Sequence, residues 1–210
     1  MTTNQREITP AYLWFDAEFT SLDPDQGRLL QVALLVTDAN LKRLAPPERD
    51  LQLNIRLDPD VPVSDWVEKH LAGLLATCRS ENAAPLGEAD RRLAALVDEA
   101  VGPAADNIKR RPVLAGNTVH MDVALARKFL PEFSRRLHYR LLDVSTLKIL
   151  WNDWFPGPAF DKEKPGMLKR NLPPGFKLPA AGAHDAYYDI HASLAELNYY
   201  RQHLARPSQA

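Results

Sequence analysis

The sequence predicts an α/β fold, in which a mixed five-stranded sheet is flanked by helices. Residues 11–58 contain three apolar segments separated by short turn-rich stretches, which is typical of an antiparallel meander. After residue 64, segments with apolar residues at helical spacing alternate with two further apolar segments that we predict to be strands.

The three strands of the meander are predicted at 11–19, 28–40 and 50–58. The first, AYLWFDAEF, and the second, RLLQVALLVTDAN, are rich in large apolar residues. The third, DLQLNIRLD, alternates apolar and polar residues, as expected for a half-exposed strand. Asp-Pro and Gly residues between the first two strands indicate a turn.

The second half of the chain alternates predicted helices and strands. In chain order these are a helix at 65–78, a helix at 86–102, a strand at 111–117, a helix at 121–137 and a strand at 139–147. Pro131 is expected to break or kink the third of these helices.

The chain is predicted to end in a long loop and a long helix. Residues 155–183 contain six prolines and a surplus of basic residues, which predicts an irregular loop. Residues 184–204 have the pattern of an amphipathic helix.

Composition is that of an ordinary globular protein. The 210 residues are 45% hydrophobic and 25% charged, which suits one domain that buries roughly 70% of its unfolded surface. The net charge of -1 provides no bulk positive field to attract long nucleic acid. Binding of nucleic acid would therefore need a local basic site or a metal ion.

The sequence also predicts a soluble protein of the cytoplasm. A single cysteine, Cys78, fits a reducing compartment. Residues 1–10 are polar and lack the apolar core of a signal peptide, and no apolar run approaches the ~18 residues of a membrane span.

Two acids interrupt the first predicted strand. Because side chains alternate along a strand, Asp16 and Glu18 project from one face, while Phe15, Ala17 and Phe19 project from the other. Repulsion between the two carboxylates would be relieved by a divalent cation such as Mg²⁺ or Mn²⁺, which prefers oxygen ligands.

The structural alternative is a pair of acids on an edge strand that face solvent, because charged residues are mostly exposed. The apolar residues around the pair argue against exposure. Two further acids, Asp122 and Asp189, occur near other predicted strand or helix ends. These observations favour a metal site.

An ordered set of motifs resembles the oligoribonuclease branch of the DEDD-type 3′-to-5′ exonucleases that contain a histidine. Five residues match the family signature: Asp16, Glu18, Asp122, His184 and Asp189. The flanking matches, in the family's order, are DAEFTSLD (16–23), VTDANL (36–41), WVEKHLAGL (66–74), GNTVHMD (116–122), HYRLLDVSTLK (138–148) and HDAYYDIHASLAELNYYR (184–201).

The resemblance implies an RNase H-like exonuclease domain over residues 1–210. It implies hydrolysis of RNA of two to about five nucleotides from the 3′ end to nucleoside 5′-monophosphates, with two divalent cations, Mg²⁺ or Mn²⁺. Asp16 would bridge the ions, Glu18 and Asp189 would hold one, and Asp122 would orient the other through water. His184 would be the general base, because histidine side chains titrate near neutral pH.

The resemblance also implies contacts to the bases of a short substrate. Leu22 would wedge between bases, Trp66 would stack on one, and His70 would contact the substrate. The alternatives are structural: Leu22 could plug the turn, and Trp66 could anchor its helix in the core.

A second group of implied contacts concerns the 5′ phosphate. Thr118, Arg140 and Ser145 would cap it, and Tyr139 would come from the partner subunit of a homodimer. Arg140 could instead pair with Glu132 or Asp143, and Tyr139 could simply pack in an interface.

Three features depart from the family pattern. Ser21 replaces a glycine, which makes a left-handed turn less favourable there, and Ala17 replaces a larger apolar residue. The loop at 155–183 is longer than its family counterpart. It could be a lid or phosphate clamp over the active site, or a solvated linker.

Two other functions remain possible on the sequence. One is a related exonuclease that trims longer RNA or DNA ends, with the insertion rebuilding the pocket. The other is a catalytically inactive protein that binds nucleic acid. The complete set of signature residues argues against the second.

Overall fold

Five strands form one mixed sheet in the computed structural model, which describes residues 11–204. The strand order is β3-β2-β1-β4-β5. The strands are β1 (Tyr12–Phe19), β2 (Leu29–Thr37), β3 (Leu51–Asn54), β4 (Val113–Gly116) and β5 (Leu141–Asp143). The first three pair antiparallel, and β4 and β5 continue the sheet parallel to β1. The predicted fold class is confirmed.

Eight helices surround the sheet in the described part of the chain, together with two short 3₁₀ turns. The helices are α1 (Asp65–His70), α2 (Ala72–Cys78), α3 (Leu86–Val101), α4 (His120–Phe129), α5 (Pro131–Ser134), α6 (Val144–Trp154), α7 (Met167–Asn171) and α8 (Ala186–Leu204).

The two faces of β1 belong to different layers. Phe15 and Ala17 are buried in the layer formed with α3, α4 and α5. Trp14 is buried in the opposite layer, formed with α6, α7 and α8. Since the side chains of Asp16 and Glu18 alternate in step with Trp14, the two acids face α8.

One strand prediction was wrong in its second half. Residues 139–147 contain only a three-residue strand, and α6 begins at Val144. The carboxylate of Asp143 accepts a hydrogen bond from the backbone N–H of Ser145 (2.9 Å) and so caps the helix. Val144 and Trp151 lie one above the other on the buried face of α6. This seven-residue spacing of apolar residues is typical of a helix, but the strand-like composition of 139–147 hid it in the sequence.

The predicted break at Pro131 is confirmed. Helix α4 ends at Phe129, and Pro131 occupies the first turn of α5, where its missing N–H costs nothing. The buried carboxylate of Asp90 accepts the backbone N–H groups of Glu132 and Phe133 (2.9 and 2.8 Å). A residue on α3 thus caps a helix whose first turn lies 42 residues further along the chain.

Smaller differences concern element ends. The predicted helix at 65–78 is interrupted at Leu71, which ends α1 and precedes α2. Strand β3 ends at Asn54 rather than at 58, and Ile55 forms an isolated bridge with Ala84.

The segment 155–183, which the sequence predicts to be an insertion, packs on the body of the protein. Phe160, Leu168 and Phe176 are buried in the layer that contains α8. The backbone carbonyl of Asn171 accepts a hydrogen bond from Asn198 on α8 (2.9 Å). This packing differs from the solvated linker considered above.

Two expectations from composition concern the environment of the protein. Cys78 is a buried free thiol. No helix within residues 11–204 is both long enough and apolar enough to cross a membrane. The polar segment 1–10, on which the absence of a signal peptide was predicted, lies outside the described residues.

Candidate active site

The site lies at the edge of the sheet where β1, β4 and β5 end. Because these three strands are parallel, their carboxyl ends share one edge, where open α/β sheets commonly bind ligands. Asp16 and Glu18 occupy the last half of β1, Asp122 follows β4 on α4, and Asp143 ends β5. Helix α8 begins beside them and carries Asp189 on its first turn.

Three carboxylates converge at this edge. Asp16, Glu18 and Asp189 each offer an oxygen, and these oxygens all lie within 4.8 Å of one another. An all-oxygen donor set of three acids is what Mg²⁺ or Mn²⁺ requires. The residues present therefore fit a divalent cation, and the chain itself supplies its ligands.

Asp122 lies next to this group but has a different partner. Its Oδ1 accepts a hydrogen bond from the backbone N–H of Ala17 (2.9 Å), the residue between Asp16 and Glu18. Pairing of β1 with β4 ends at Trp14, so this N–H is free for a side-chain acceptor. Asp122 is buried, at 6% exposure, and it lies outside the group of three converging carboxylates.

Crowding of acids in a buried place opposes their ionisation. Burial, followed by the charges of Asp189 and Asp185, raises the pKa of Glu18 to about 7. Burial also raises the pKa of Asp122 to about 7, although the hydrogen bond from Ala17 acts against this. The pKa of Asp16 is raised well above its usual range by burial and by the neighbouring acids. A divalent cation would supply the positive charge that lets these groups ionise together.

His184 stands at the entrance of the carboxylate group. Its backbone N–H donates to Asp189 Oδ2 (2.9 Å), and its φ of 66° turns the chain sharply before α8. The imidazole is exposed and meets the ring of Trp66 edge-on, with centroids 5.0 Å apart. The general base proposed from sequence is thus fixed by its own backbone to one of the candidate metal ligands.

An apolar cleft of about 540 Å³ adjoins His184 and Glu18. Leu22 and Trp66 line it, with exposed fractions of 80% and 46%. Their exposure rules out the alternatives in which Leu22 plugs a turn and Trp66 anchors a core. His70 stacks on Trp66, with centroids 4.6 Å apart and 22° between the rings.

Ser21, which replaces the family's glycine, also lines the cleft. Within the described residues, a positive φ outside glycine occurs at Leu41, Thr118 and His184. The turn at Ser21 therefore needs no left-handed residue, and the substitution carries no strain. Its hydroxyl accepts the backbone N–H of Asp23 (3.1 Å).

The structure brings together two of the residues predicted to cap a 5′ phosphate. The hydroxyls of Thr118 and Ser145 lie 3.0 Å apart. Asp143, which the sequence suggested only as an alternative partner of Arg140, accepts the backbone N–H groups of both residues, each at 2.9 Å. An Asp at the end of a strand and one residue before Val-Ser-Thr was the available signal for such a cap.

Tyr139 and Arg140 lie apart from the cleft, just before β5. The guanidinium of Arg140 stacks over the exposed ring of Tyr139, 5.3 Å from its centroid. The alternative partner Glu132 pairs instead with Arg135 and Arg136. Both side chains are thus presented at the sheet edge rather than within this chain's own cleft.

Polar side chains from β2 and β3 hold the start of α8 in place. Gln31 Oε1 accepts the backbone N–H of Ala186 (2.8 Å), and Gln52 donates to Asp185 Oδ2 (2.5 Å). These contacts span more than a hundred residues, so no local sequence pattern indicates them. They fix the turn that carries His184 and Asp189.

Comparison with known proteins identifies the family. The model of the family described as Exonuclease, RNase_T, matches residues 13–197. The chain belongs to this exonuclease family. The predicted resemblance, and with it the prediction of a nuclease, is confirmed.

Relatives of the RNase_T exonuclease extend over nearly all of its length. It is 34% identical to the oligoribonuclease of Escherichia coli K12, over 98% of this chain and 99% of that protein. It is 32% identical to the oligoribonuclease of Chromobacterium violaceum, over 92% and 95%. A probable oligoribonuclease of Schizosaccharomyces pombe is 33% identical over 91% of this chain and 67% of that protein.

Solved structures share the fold of this RNase_T exonuclease. Exonuclease I of Methylocaldum szegediense superimposes with a TM-score of 0.65 at 19% identity, over 91% of this chain and 40% of that chain. E. coli exonuclease I in complex with a dT13 oligonucleotide gives 0.64 at 15%, over 91% and 41%. This chain spans about two fifths of those proteins.

Proposed function

We propose that this exonuclease hydrolyses short oligoribonucleotides, from dinucleotides to about five nucleotides, from the 3′ end to nucleoside 5′-monophosphates. The observation that carries the proposal is the convergence of Asp16, Glu18 and Asp189 beside His184, at the end of a cleft lined by exposed Trp66 and Leu22. Full-length relatives named as oligoribonucleases support the choice of substrate.

Two divalent cations, Mg²⁺ or Mn²⁺, are the cofactors we propose. Asp16, Glu18 and Asp189 would hold one, Asp16 would reach the second, and Asp122 would orient the second through water. Bound ions supply positive charge to the attacking and leaving oxygens of the phosphodiester. A zinc-bound complex of E. coli exonuclease I with single-stranded DNA has the same fold (TM-score 0.66, 13% identity).

His184 would accept a proton from the water that attacks the terminal phosphorus. The new P–O bond forms as the bond to the 3′ oxygen of the preceding nucleotide breaks, which releases a nucleoside 5′-monophosphate and a shortened RNA. The hydrogen bond from the His184 backbone to Asp189 keeps the imidazole at the mouth of the site during this step.

Selection of short RNA would use stacking and a terminal stop. Trp66 and Leu22 would hold the bases, with His70 supporting the indole ring by its own stacking. Thr118 and Ser145, whose hydroxyls already lie together, would cap the 5′ phosphate with Arg140. Such a cap would occupy the path that a longer chain must follow.

We also propose a homodimer in the cytoplasm. Tyr139 is 47% exposed at the sheet edge and is available to a partner subunit's active site. Arg140, which stacks on it, would be presented with it. The buried, reduced thiol of Cys78 agrees with a reducing compartment.

Turnover of 5′-phosphorylated RNA of two to twenty nucleotides with Mg²⁺ and with Mn²⁺ tests the function. We expect the highest kcat/KM on dinucleotides. Asp16→Asn keeps the size of the side chain but removes a ligand charge worth several kcal/mol, so activity should fall at least about a hundredfold. Asp38→Asn, which changes a half-buried acid in the turn after β2 and keeps an acceptor oxygen for that turn, is the matched control.

Different outcomes point to the other functions. Equal or better activity on a 20-mer, or on DNA, would indicate an exonuclease that trims longer ends. Absence of any hydrolysis with either ion would indicate a protein that only binds nucleic acid. Full activity in Asp16→Asn would refute the assigned role of that residue.

A further inference from the structure

We propose that Lys162, from the inserted segment, is a substrate-binding residue whose ammonium pairs with Asp189 in the cation-free site and binds the phosphate of the bound nucleotide once cations are present. This inference rests on the proposed function. Its basis is position: Lys162 Nζ lies 4.0 Å from Asp189 Oδ1, one of the three converging carboxylates. It is the basic side chain that the insertion delivers to the site.

The backbone around Lys162 is held firmly enough to make this placement specific. Phe160, two residues earlier, is buried at 2% exposure and packs against Tyr199 of α8. The carbonyl of Pro158 accepts hydrogen bonds from Trp151 Nε1 (3.0 Å) and from the hydroxyl of Tyr199 (2.5 Å). The segment is therefore anchored directly before the lysine.

The residues after Lys162 are held as well. Asp161 Oδ1 accepts the backbone N–H of Glu163 (3.0 Å), which closes a tight turn around the lysine. Helix α7 follows, and its buried Leu168 packs in the same layer as α8. With both ends fixed, the lysine stem points from an ordered turn toward the acids.

The charge of Lys162 acts on more than its nearest partner. It lowers the pKa of Asp189 and also that of Asp16, although burial keeps both raised overall. In the cation-free protein the ammonium thus supplies part of the positive charge that the acids need. A divalent cation bound by the same acids would compete with it for Asp189.

Displacement from Asp189 leaves the ammonium beside an anionic substrate. The side chain of Lys162 is 45% exposed and its four-carbon stem is flexible, so it can turn without moving the backbone. The phosphate of a nucleotide bound at this site would be the nearest new negative charge. Lysine binds phosphate as a point charge, without the fixed geometry of arginine.

The experiment compares Lys162→Gln with Lys164→Gln, which changes another exposed lysine of the same turn. Calorimetry with Mn²⁺ alone should show about two- to fivefold tighter binding in Lys162→Gln, because a competing charge is gone. Adenosine 5′-monophosphate, titrated in the presence of Mn²⁺, should bind about tenfold more weakly or worse. Lys164→Gln should match the wild type in both.

Kinetics separate substrate binding from a general structural role. For a dinucleotide, Lys162→Gln should raise KM about tenfold with little change in kcat, and Lys162→Arg should restore most of the loss. Unchanged affinity for adenosine 5′-monophosphate in Lys162→Gln, or unchanged affinity for Mn²⁺, would overturn the inference. Both titrations are independent of turnover, so a wild type that cleaves no RNA would reject the proposed function without deciding the role of Lys162.

Discussion

Asp16, Glu18 and Asp122 all occupy surroundings that favour their protonated forms. Burial is the main cause for each, and repulsion from neighbouring acids adds to it. Acids at buried positions of the first strand are explained if they share a cation, because a purely structural role would not offset the cost of burying them. In the cation-free protein, gathering these acids therefore costs free energy because their carboxyl groups must ionise in a buried place.

This cost predicts how stability depends on pH. The pKa of Glu18 rises from 4.5 to about 7, and that of Asp122 from 3.8 to about 7. The folded state therefore holds these protons more tightly than the unfolded state. Their stabilising contribution is complete below the ordinary pKa values and is lost as the pH rises to about 7 and above.

Thermal unfolding with and without Mg²⁺ measures this effect. The melting temperature of the cation-free protein should fall between about pH 5 and pH 8, and saturating Mg²⁺ should raise it more at pH 8 than at pH 5. Glu18→Gln, which removes one titrating group, should flatten the dependence. An equal gain from Mg²⁺ at both pH values would contradict the explanation.

At the scale of the element, the first turn of α8 decides the site. Its position is set by side chains of the sheet, chiefly Gln31, whose amide also donates to Asn54 Oδ1 (2.9 Å). Gln31 is buried, at 6% exposure, so its lost hydrogen bonds could not be replaced freely by water.

We expect Gln31→Leu to leave the backbone N–H of Ala186 without its acceptor. Unfolding free energy should fall by about 1–3 kcal/mol, and Mn²⁺ affinity should fall with it because Asp189 loses its fixed position. Asp90→Ala, which uncaps α5 on the opposite face of the sheet, is the control with a similar stability loss. If Asp90→Ala weakened Mn²⁺ binding equally, the effect would be general destabilisation.

Local patterns predicted those elements whose signals are local. Alternation along β1 placed Asp16 and Glu18 on one face, and Pro131 marked the break between α4 and α5. Helix α6 was missed because Leu, Val and Thr after Tyr139 have strand propensity, while tertiary packing of Trp151 and a cap at Asp143 decide for helix. Contacts such as Gln31 with Ala186 depend on the folded path and leave no local pattern.

At the scale of the whole molecule, the order of the motifs along the chain predicted more about the fold and the site than any single motif did. It predicted that acids from distant segments of the chain converge, and the structure brings oxygens of Asp16, Glu18 and Asp189 within 4.8 Å of one another. It did not predict the course of the insertion, because six prolines and scattered lysines define no periodicity. The contact of Lys162 with Asp189 could be found only after folding.

The packing of the insertion changes how its role can be tested. Deletion of 158–178 would uncover the surfaces of α8 that Phe160 and Leu168 now cover. Phe160→Ala alone should lower the unfolding free energy by about 3–5 kcal/mol, measurable by denaturant titration. A loss below about 1 kcal/mol would mean that the segment is not part of the folded core. Point substitutions are therefore better tests than deletion.

The proposed homodimer is also a property of the whole molecule. Light scattering should give the mass of two chains, and Tyr139→Ala should lower kcat/KM about tenfold without changing that mass. Tyr139→Phe keeps the ring and should lose less. A monomer that is fully active on dinucleotides would exclude a contribution from a partner subunit.

The hydrogen bond from the Ala17 amide joins Asp122 to the strand that carries Asp16 and Glu18. Asp122 accepts a hydrogen bond from the peptide between Asp16 and Glu18, so the positions of these three acids are coupled. Asp189 accepts a hydrogen bond from the backbone of His184, and both residues lie at the start of α8. Because Gln31 and Gln52 bind the start of α8 to β2 and β3, a shift of the sheet would carry all four acids together, and the spacing of the carboxylates would survive it.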